Sequence, residues 1–302
     1  MIKENINFKK IKLTFRKLKL SDYQKFEKLF YLSFKKKISY KFFKWRYFTD
    51  KFSFCYGAFE SSNLVANVGI KYLKLNDTNK SVIFSRHSSM VLKNYRGNKI
   101  YSEILKKIRQ KFFKKTKVII MWPNKKNFAS FGYSSKEIIK KKFYIYGFKR
   151  LTKTKNKTLD ININKLPLFK KFFKNNNSFI FKDLKYFRNR YMAYRKQDYF
   201  INKYNFGKFS SFFILKKLNI KKGNNFVILD HFGSKHIKSK HFYKLISEKE
   251  ETIFWSKRKI YNLNYKLINH INLLIRFTKN KNQKFSNREF MLGDTDSFIT
   301  LR

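Results

Sequence analysis

Residues 91–105, VLKNYRGNKIYSEIL, join an apolar strand end, a short basic turn and the start of a helix-like pattern. In Arg96-Gly97-Asn98-Lys99-Ile100 this order suits the binding of a phosphate. The first N–H groups of a helix have no partner within it and lie at the positive end of its dipole, so they point at an anion, and small residues let the backbone come close. One glycine stands where a phosphate loop usually has two or three, so a plain strand-to-helix turn is the competing reading. Other reactive residue types are less well spaced. His231, His236 and His241 recur every five residues, which matches neither a helix face nor a zinc-ligand pattern. Asp294 and Asp296 could hold a ligand or simply make a turn. The single cysteine, Cys55, leaves no Cys-based zinc site and no internal disulfide, so no metal is expected.

The elements that must position the turn are legible as periodicity. Residues 10–17 alternate, placing Ile11, Leu13 and Phe15 on one strand face. Ser21-Asp22 reads as a helix N-cap ahead of Phe26, Leu29, Phe30 and Phe34. A strand pair follows around the polar turn Glu60-Ser61-Ser62-Asn63, and residues 81–92 make another strand, in which His87 alternates in phase with Ser85, Ser89 and Val91. After the basic turn, Ile100, Ile104, Leu105, Ile108 and Phe112 fall on one helix side. Strands at 117–122 and 143–148 close an α/β layered domain near residue 150. Residues 151–180 are rich in Lys and Asn with few apolar anchors and read as a linker. Beyond it comes an echo: KFFKWRY, 41–47, is matched by KYFRNRY, 185–191, each ahead of a strand pair. The expected architecture is therefore two tandem modules, 10–150 and 151–302, with mixed, mostly antiparallel sheets flanked by helices.

Composition narrows the class. With 43% apolar residues the chain can fold, and no apolar run approaches the roughly 18 residues of a membrane span. The N-terminus lacks the apolar segment of a secretory signal, so the cytoplasm is the expected location. A net charge of +54 invites a nucleic-acid reading, yet 59 lysines stand against 13 arginines, and alanine and proline are scarce. That is the vocabulary of an AT-rich genome, which scatters lysine over every exposed face. A selected nucleic-acid reader concentrates its charge and favours arginine. Non-specific, salt-dependent contact with nucleic acid follows in either case.

The strand end Met90-Val91-Leu92 followed by Arg96-Gly97-Asn98-Lys99-Ile100 resembles motif A of the GNAT (GCN5-related) N-acetyltransferases. KLKLSDYQKFEKLF resembles that family's first strand and helix, and AFESSNLVANVGI its strand pair. MWPNKKNFASFGY, 121–133, with FKWRYF and GDTDSF, resembles GNAT proteins found with surface-polysaccharide genes. The pattern departs at Lys99 and Tyr101, which stand where two small residues are expected.

The resemblance implies acetyl-CoA as co-substrate, held by Met90, Val91, Leu92, Arg96, Gly97, Asn98, Lys99 and Ile100, with Asn124 and Asn127 as further contacts. It implies an N- or O-acyltransferase acting on a sugar or small amine. Such a transfer needs a base on the acceptor, for which His87 on the central strand and Glu60 at the hairpin are the candidates. Trp45, Arg46 and Tyr47 would line the acceptor pocket. The alternatives are a non-catalytic GNAT-like binding module and a polyanion-binding protein.

Overall fold

The structure is a computed structural model that describes residues 12–49, 53–74, 82–112, 118–121, 138–149, 159–175, 181–194, 199–206, 209–220, 223–233, 251–256 and 265–277. The chain divides into two compact units, residues 1–72 with 84–116 and residues 73–83 with 117–302.

In the first unit, β1 (Leu13–Lys17), β2 (Phe54–Glu60), β3 (Asn63–Lys74) and β4 (Val82–Val91) lie side by side in sequence order. β1 pairs antiparallel with β2, and β2 with β3 across a bulge at Ala58/Phe59. The turn between β2 and β3 is the expected one, with Ser61 left-handed at φ 52°. Helix α1 (Tyr23–Phe34) buries Phe26 and Leu29, and α2 (Tyr40–Phe48) buries Phe43 and Tyr47 one turn apart. These aromatics form one core with Leu18, Phe59, Leu64 and Met90. Truncating a side chain as fully enclosed as Phe26 costs about 3–5 kcal/mol in such a core.

The helix ends follow local chemistry. Ser39 caps α2 by accepting from the Phe42 N–H at 3.2 Å. Asp22 stands at the N-cap of α1, as expected, but its carboxylate is directed elsewhere: it takes both Arg16 guanidinium nitrogens at 2.7 and 2.8 Å and the Lys19 N–H at 2.8 Å. The strong bidentate cation on β1 outcompetes a helix amide for those lone pairs. Helix α3 (Ile100–Phe112) buries Ile100, Ile104 and Ile108, the stripe read from the sequence.

The second unit holds β5 (Val118–Met121), β6 (Ile138–Lys149), β7 (Leu159–Asn162), α4 (Leu184–Phe187), β8 (Tyr199–Phe206), β9 (Phe209–Ile220), β10 (Gly223–Gly233), β11 (Glu251–Ser256) and β12 (Tyr265–Phe277). Their lateral order is β5-β12-β6-β11-β10-β9-β8-β7. β10 and β11 run parallel, while the other neighbouring pairs are antiparallel. So β5 and β6, which follow directly on the first unit in sequence, are completed by two strands from far down the chain.

The linker expectation for 151–180 does not hold. After β7, residues Ile163–Asn175 coil as a 3-10 helix with Ile163, Leu166 and Phe173 buried in the second core. Phe169 and Phe172 pack on the same cluster. A 3-10 helix repeats every three residues, so apolar groups at 163, 166, 169 and 172 share one side. A search for the α-helical period misses that pattern. Among the described residues, no helix is long and apolar enough to cross a membrane.

Candidate active site

β4 does not alternate through its length. Ser88 takes a left-handed backbone, φ 46°, in mid-strand. Before it, Arg86 reaches Tyr101 of α3, its guanidinium 5.2 Å from the ring centroid, while His87 faces α2 and stacks on Tyr47 at 5.4 Å and 17°. Ser88 faces α2 as well, accepting the Tyr47 hydroxyl at 2.6 Å. Ser89 then turns towards Tyr101, 3.4 Å from its hydroxyl, and Met90 returns to the core beneath α1 and α2. The extra residue inverts the phase, as a bulge does. This corrects the sequence reading that set His87 in register with Ser89 and Val91: they lie in opposite phases.

β3 fits this irregularity with two residues. Asn67, fully buried, donates its Nδ2 to the Ser88 carbonyl at 3.0 Å. Gly69 lies under His87, where an added Cβ would meet Nδ1 at 2.9 Å and the His87 carbonyl at 3.0 Å. Only hydrogen fits there. Both His87 ring nitrogens are shielded from solvent. The Arg46 guanidinium lies 5.8 Å from the Tyr47 ring and 5.5 Å from that of Phe42. Cys55, buried beside Asn67, has its thiol pKa pushed up by desolvation, so it is a neutral packing group.

Arg46, Tyr47 and His87, expected in two separate roles, are thus brought together with Asn67 and Ser88. Trp45 is buried against Phe42 at 5.4 Å. Glu60 sits apart, at the hairpin end of β2, where it accepts the Tyr95 hydroxyl at 2.5 Å. That bond is the leading cause of a raised Tyr95 pKa. Asn67 and Ser88 were missed by sequence reasoning, although an amide inside the apolar run LVANVGI was a usable signal.

The basic turn follows from β4. Leu92 N–H bonds to the Val65 carbonyl at 3.0 Å, residues 93–95 make one 3-10 turn, and Arg96 Nε donates to the Val91 carbonyl at 3.1 Å. Gly97 has φ 89° and open space where a Cβ would be. Lys99 is left-handed at φ 55°, and its carbonyl accepts the Glu103 N–H at 3.0 Å, opening α3. Tyr101 points back to β4 instead of into the turn. Arg96, Gly97 and Lys99 are exposed and Asn98 partly so. An open left-handed turn leading into a helix N-terminus is compatible with a pyrophosphate.

Asn124 and Asn127, together with His236, His241, Asp294 and Asp296, lie outside the described residues. His231 packs on Phe213 with ring centroids 4.8 Å apart and meets Ser211 Oγ at 3.3 Å. Among the described residues, no group of three His, Cys, Asp or Glu is placed to hold a metal ion.

No protein-family model matches the sequence. No curated protein matches it either. Solved structures do. A GCN5-related N-acetyltransferase from Anabaena variabilis superposes with a TM-score of 0.67 at 6% identity, over 88% of this chain and 73% of the other. The fold is that of the GCN5-related N-acetyltransferases. A second such acetyltransferase, from Kribbella flavida, gives 0.58 at 10% identity over 88% and 71% of the two chains. A conserved protein of unknown function from Enterococcus faecalis gives 0.65 at 12% over 88% and 73%. In this GNAT-like frame the bulged strand β4, the turn at Gly97 and helix α3 form one continuous strand–turn–helix unit.

Proposed function

We propose that the chain is an acetyl-CoA-dependent N- or O-acyltransferase, built of two tandem GNAT-like modules. It acts in the cytoplasm on a sugar or small amine destined for a surface polysaccharide. The observation that carries the transferase reading is the backbone from Ser88 to Ile100: a bulged strand, an open turn at Gly97 and a helix start at Lys99.

Amides of Gly97, Asn98, Lys99 and Ile100 would hold the pyrophosphate, with the Arg96 and Lys99 cations beside it, while the Arg96 N–H closes the preceding turn on the Lys93 carbonyl at 3.2 Å. The backbone of Met90 and Val91 would pair with the pantetheine arm, Leu92 would hold their strand end in place through its N–H on Val65 and its carbonyl on Tyr95, and Asn124 and Asn127 would add polar contacts. Acetyl-CoA supplies an acyl group already activated as a thioester. The protein's work is then to position the acceptor and accept its proton. His87 at the bulge would serve as the base when an acceptor reaches its shielded ring nitrogens, with Tyr47 stacked on it, Arg46 beside Tyr47 and Trp45 packed on Phe42. A bulge leaves a peptide group outside the ladder, which offers a donor to the thioester carbonyl. Glu60, engaged with Tyr95, serves the turn and leaves the base role to His87.

The tandem reading is supported by a matched detail. In the second unit α4 runs on into a π-helical turn, Arg188–Met192, whose buried Tyr191 reaches β10, the third strand that follows, as Tyr47 of α2 reaches β4, the third strand after it. Tyr191 donates to Asp230 of β10 as Tyr47 does to Ser88 of β4. Phe187 and Phe43, four residues before each tyrosine, are both fully buried.

Calorimetry with acetyl-CoA tests the transferase reading. Binding should appear and weaken roughly tenfold to a hundredfold in Arg96→Ala, the worth of one charge-assisted contact. Absence of binding at millimolar acetyl-CoA would sink the enzyme reading, and unchanged affinity in the variant would remove Arg96 from the site.

A further inference from the structure

The corner between α1 and α2 exposes an unusual combination of side chains. Tyr31, Leu32, Phe34 and Tyr40 are 45–47% exposed, and they are four of the five large apolar side chains exposed among the described residues. Lys35, Lys36 and Lys37 stand between them, all exposed, flanked by exposed Lys28, Lys41 and Lys44. From 28 to 49 the sequence has no Asp or Glu.

This corner is built, and its shape is held from beneath. Lys35 ends α1 in the left-handed conformation with its N–H on the Tyr31 carbonyl at 2.8 Å. Ile38 is buried, and its carbonyl accepts the Tyr23 hydroxyl at 2.7 Å. Ser39 then caps α2, whose first residue, Tyr40, packs edge-on to Tyr23 at 5.3 Å. A lysine tract fixed between two anchors therefore rises beside apolar groups that the core does not use.

We propose that this corner docks on an anionic lipid bilayer. Ammonium groups meet the headgroup charge, while aromatic and aliphatic side chains enter the boundary with the acyl chains, the division of labour seen at membrane surfaces. Charge complementarity selects an anionic partner; Tyr31, Phe34 and Tyr40 suit a lipid boundary and a stacked base alike, so the choice of lipid rests on the cations and on Leu32. The exposed cations are all lysines, the segment's arginine, Arg46, is drawn over Phe42 and Tyr47, and Leu32 has no stacking surface for a base. Docking here would bring the chain to acceptors presented at a membrane.

The test uses the full chain and phosphatidylcholine vesicles with about one-third phosphatidylglycerol, in a sedimentation assay that involves no acyl transfer. Because the whole molecule is basic, a matched control decides the result. Lys35/Lys36/Lys37→Gln should weaken binding about a hundredfold, at roughly fivefold per lysine near the surface. Lys165/Lys170/Lys171→Gln, the same charge removed from exposed positions of the second unit, should change it little. Leu32→Trp should show a blue-shifted emission on adding the anionic vesicles. Equal losses in the two lysine sets, or no shift from a tryptophan at 32, would overturn the proposal. So would displacement of the vesicles by polyuridylate that depends on Lys35–Lys37, which would assign the corner to nucleic acid.

Discussion

Tyr47 and Ser88, 41 residues apart, are joined by a 2.6 Å hydrogen bond that fixes helix α2 to the bulge of strand β4. The phenol is buried in the aromatic core and its hydroxyl reaches the single left-handed residue of the strand. Tyr47→Phe keeps the ring and removes the bond. It should lower unfolding stability by about 1 kcal/mol, read from the urea midpoint. If acetyl transfer is present, kcat should fall more than the affinity for acetyl-CoA, because the loss falls on the bulge and not on the turn.

Gly69→Ala tests the contact beneath His87. The new methyl would collide with Nδ1 and with the backbone carbonyl, so a destabilisation of about 1–3 kcal/mol is expected. Adding His87→Ala should restore part of it, since the imidazole clash disappears while the carbonyl clash stays. Full additivity of the two substitutions in thermal melts would show that they do not touch.

In the second unit, Lys182, Asp230 and Tyr191 form a fully buried cluster, with Lys182 and Tyr191 each bonded to one carboxylate oxygen. Asp230→Asn keeps an acceptor for Tyr191 but leaves a buried ammonium without its counter-charge. A loss of about 3–5 kcal/mol is expected. Lys182→Met combined with Asp230→Asn should recover most of it, as measured by chemical denaturation.

Two groups give stability an acid dependence of known sign. Arg16 holds the Asp22 carboxyl below its usual range through their hydrogen bonds. That contribution is complete above the ordinary carboxylate pKa of about 3.9 and disappears as pH falls through the lower folded value. The gap between wild type and Asp22→Asn should therefore close in strong acid. Burial, with the Lys182 charge as a smaller cause, pushes His231 down to about 4. An unfolded histidine takes its proton near 6.5, so stability should decline from about pH 6.5 to about pH 4. His231→Gln should flatten that interval.

Much of the first unit was legible because its signals are local. Ile100, Ile104 and Ile108 repeat at helical spacing, and the polar turn at 60–63 separates two apolar strands. The site was less so. Nothing in SRHSSMV marks Ser88 as left-handed, because a bulge is chosen by what packs around it, here Asn67 and Tyr47. One inserted residue was enough to reverse the expected facing of Ser89. The pairing of β6 with β11 and β12 joins segments more than a hundred residues apart, and local periodicity carries no information on such partners.

The chain has nine glycines in 302 residues, yet its backbone still visits glycine's territory. Lys35, Ser61, Ser88 and Lys99 all have positive φ, at a cost of about 1–2 kcal/mol each relative to an unstrained residue. At the helix opening, Lys99 holds a torsion for which the smallest residue is the ordinary choice. The residue types at these positions are not glycine, and the angles are glycine's. Such a chain shares few residue types with its structural neighbours while its path through space stays recognisable, and a glycine placed at position 35 or 99 would relieve a strain the fold carries without it.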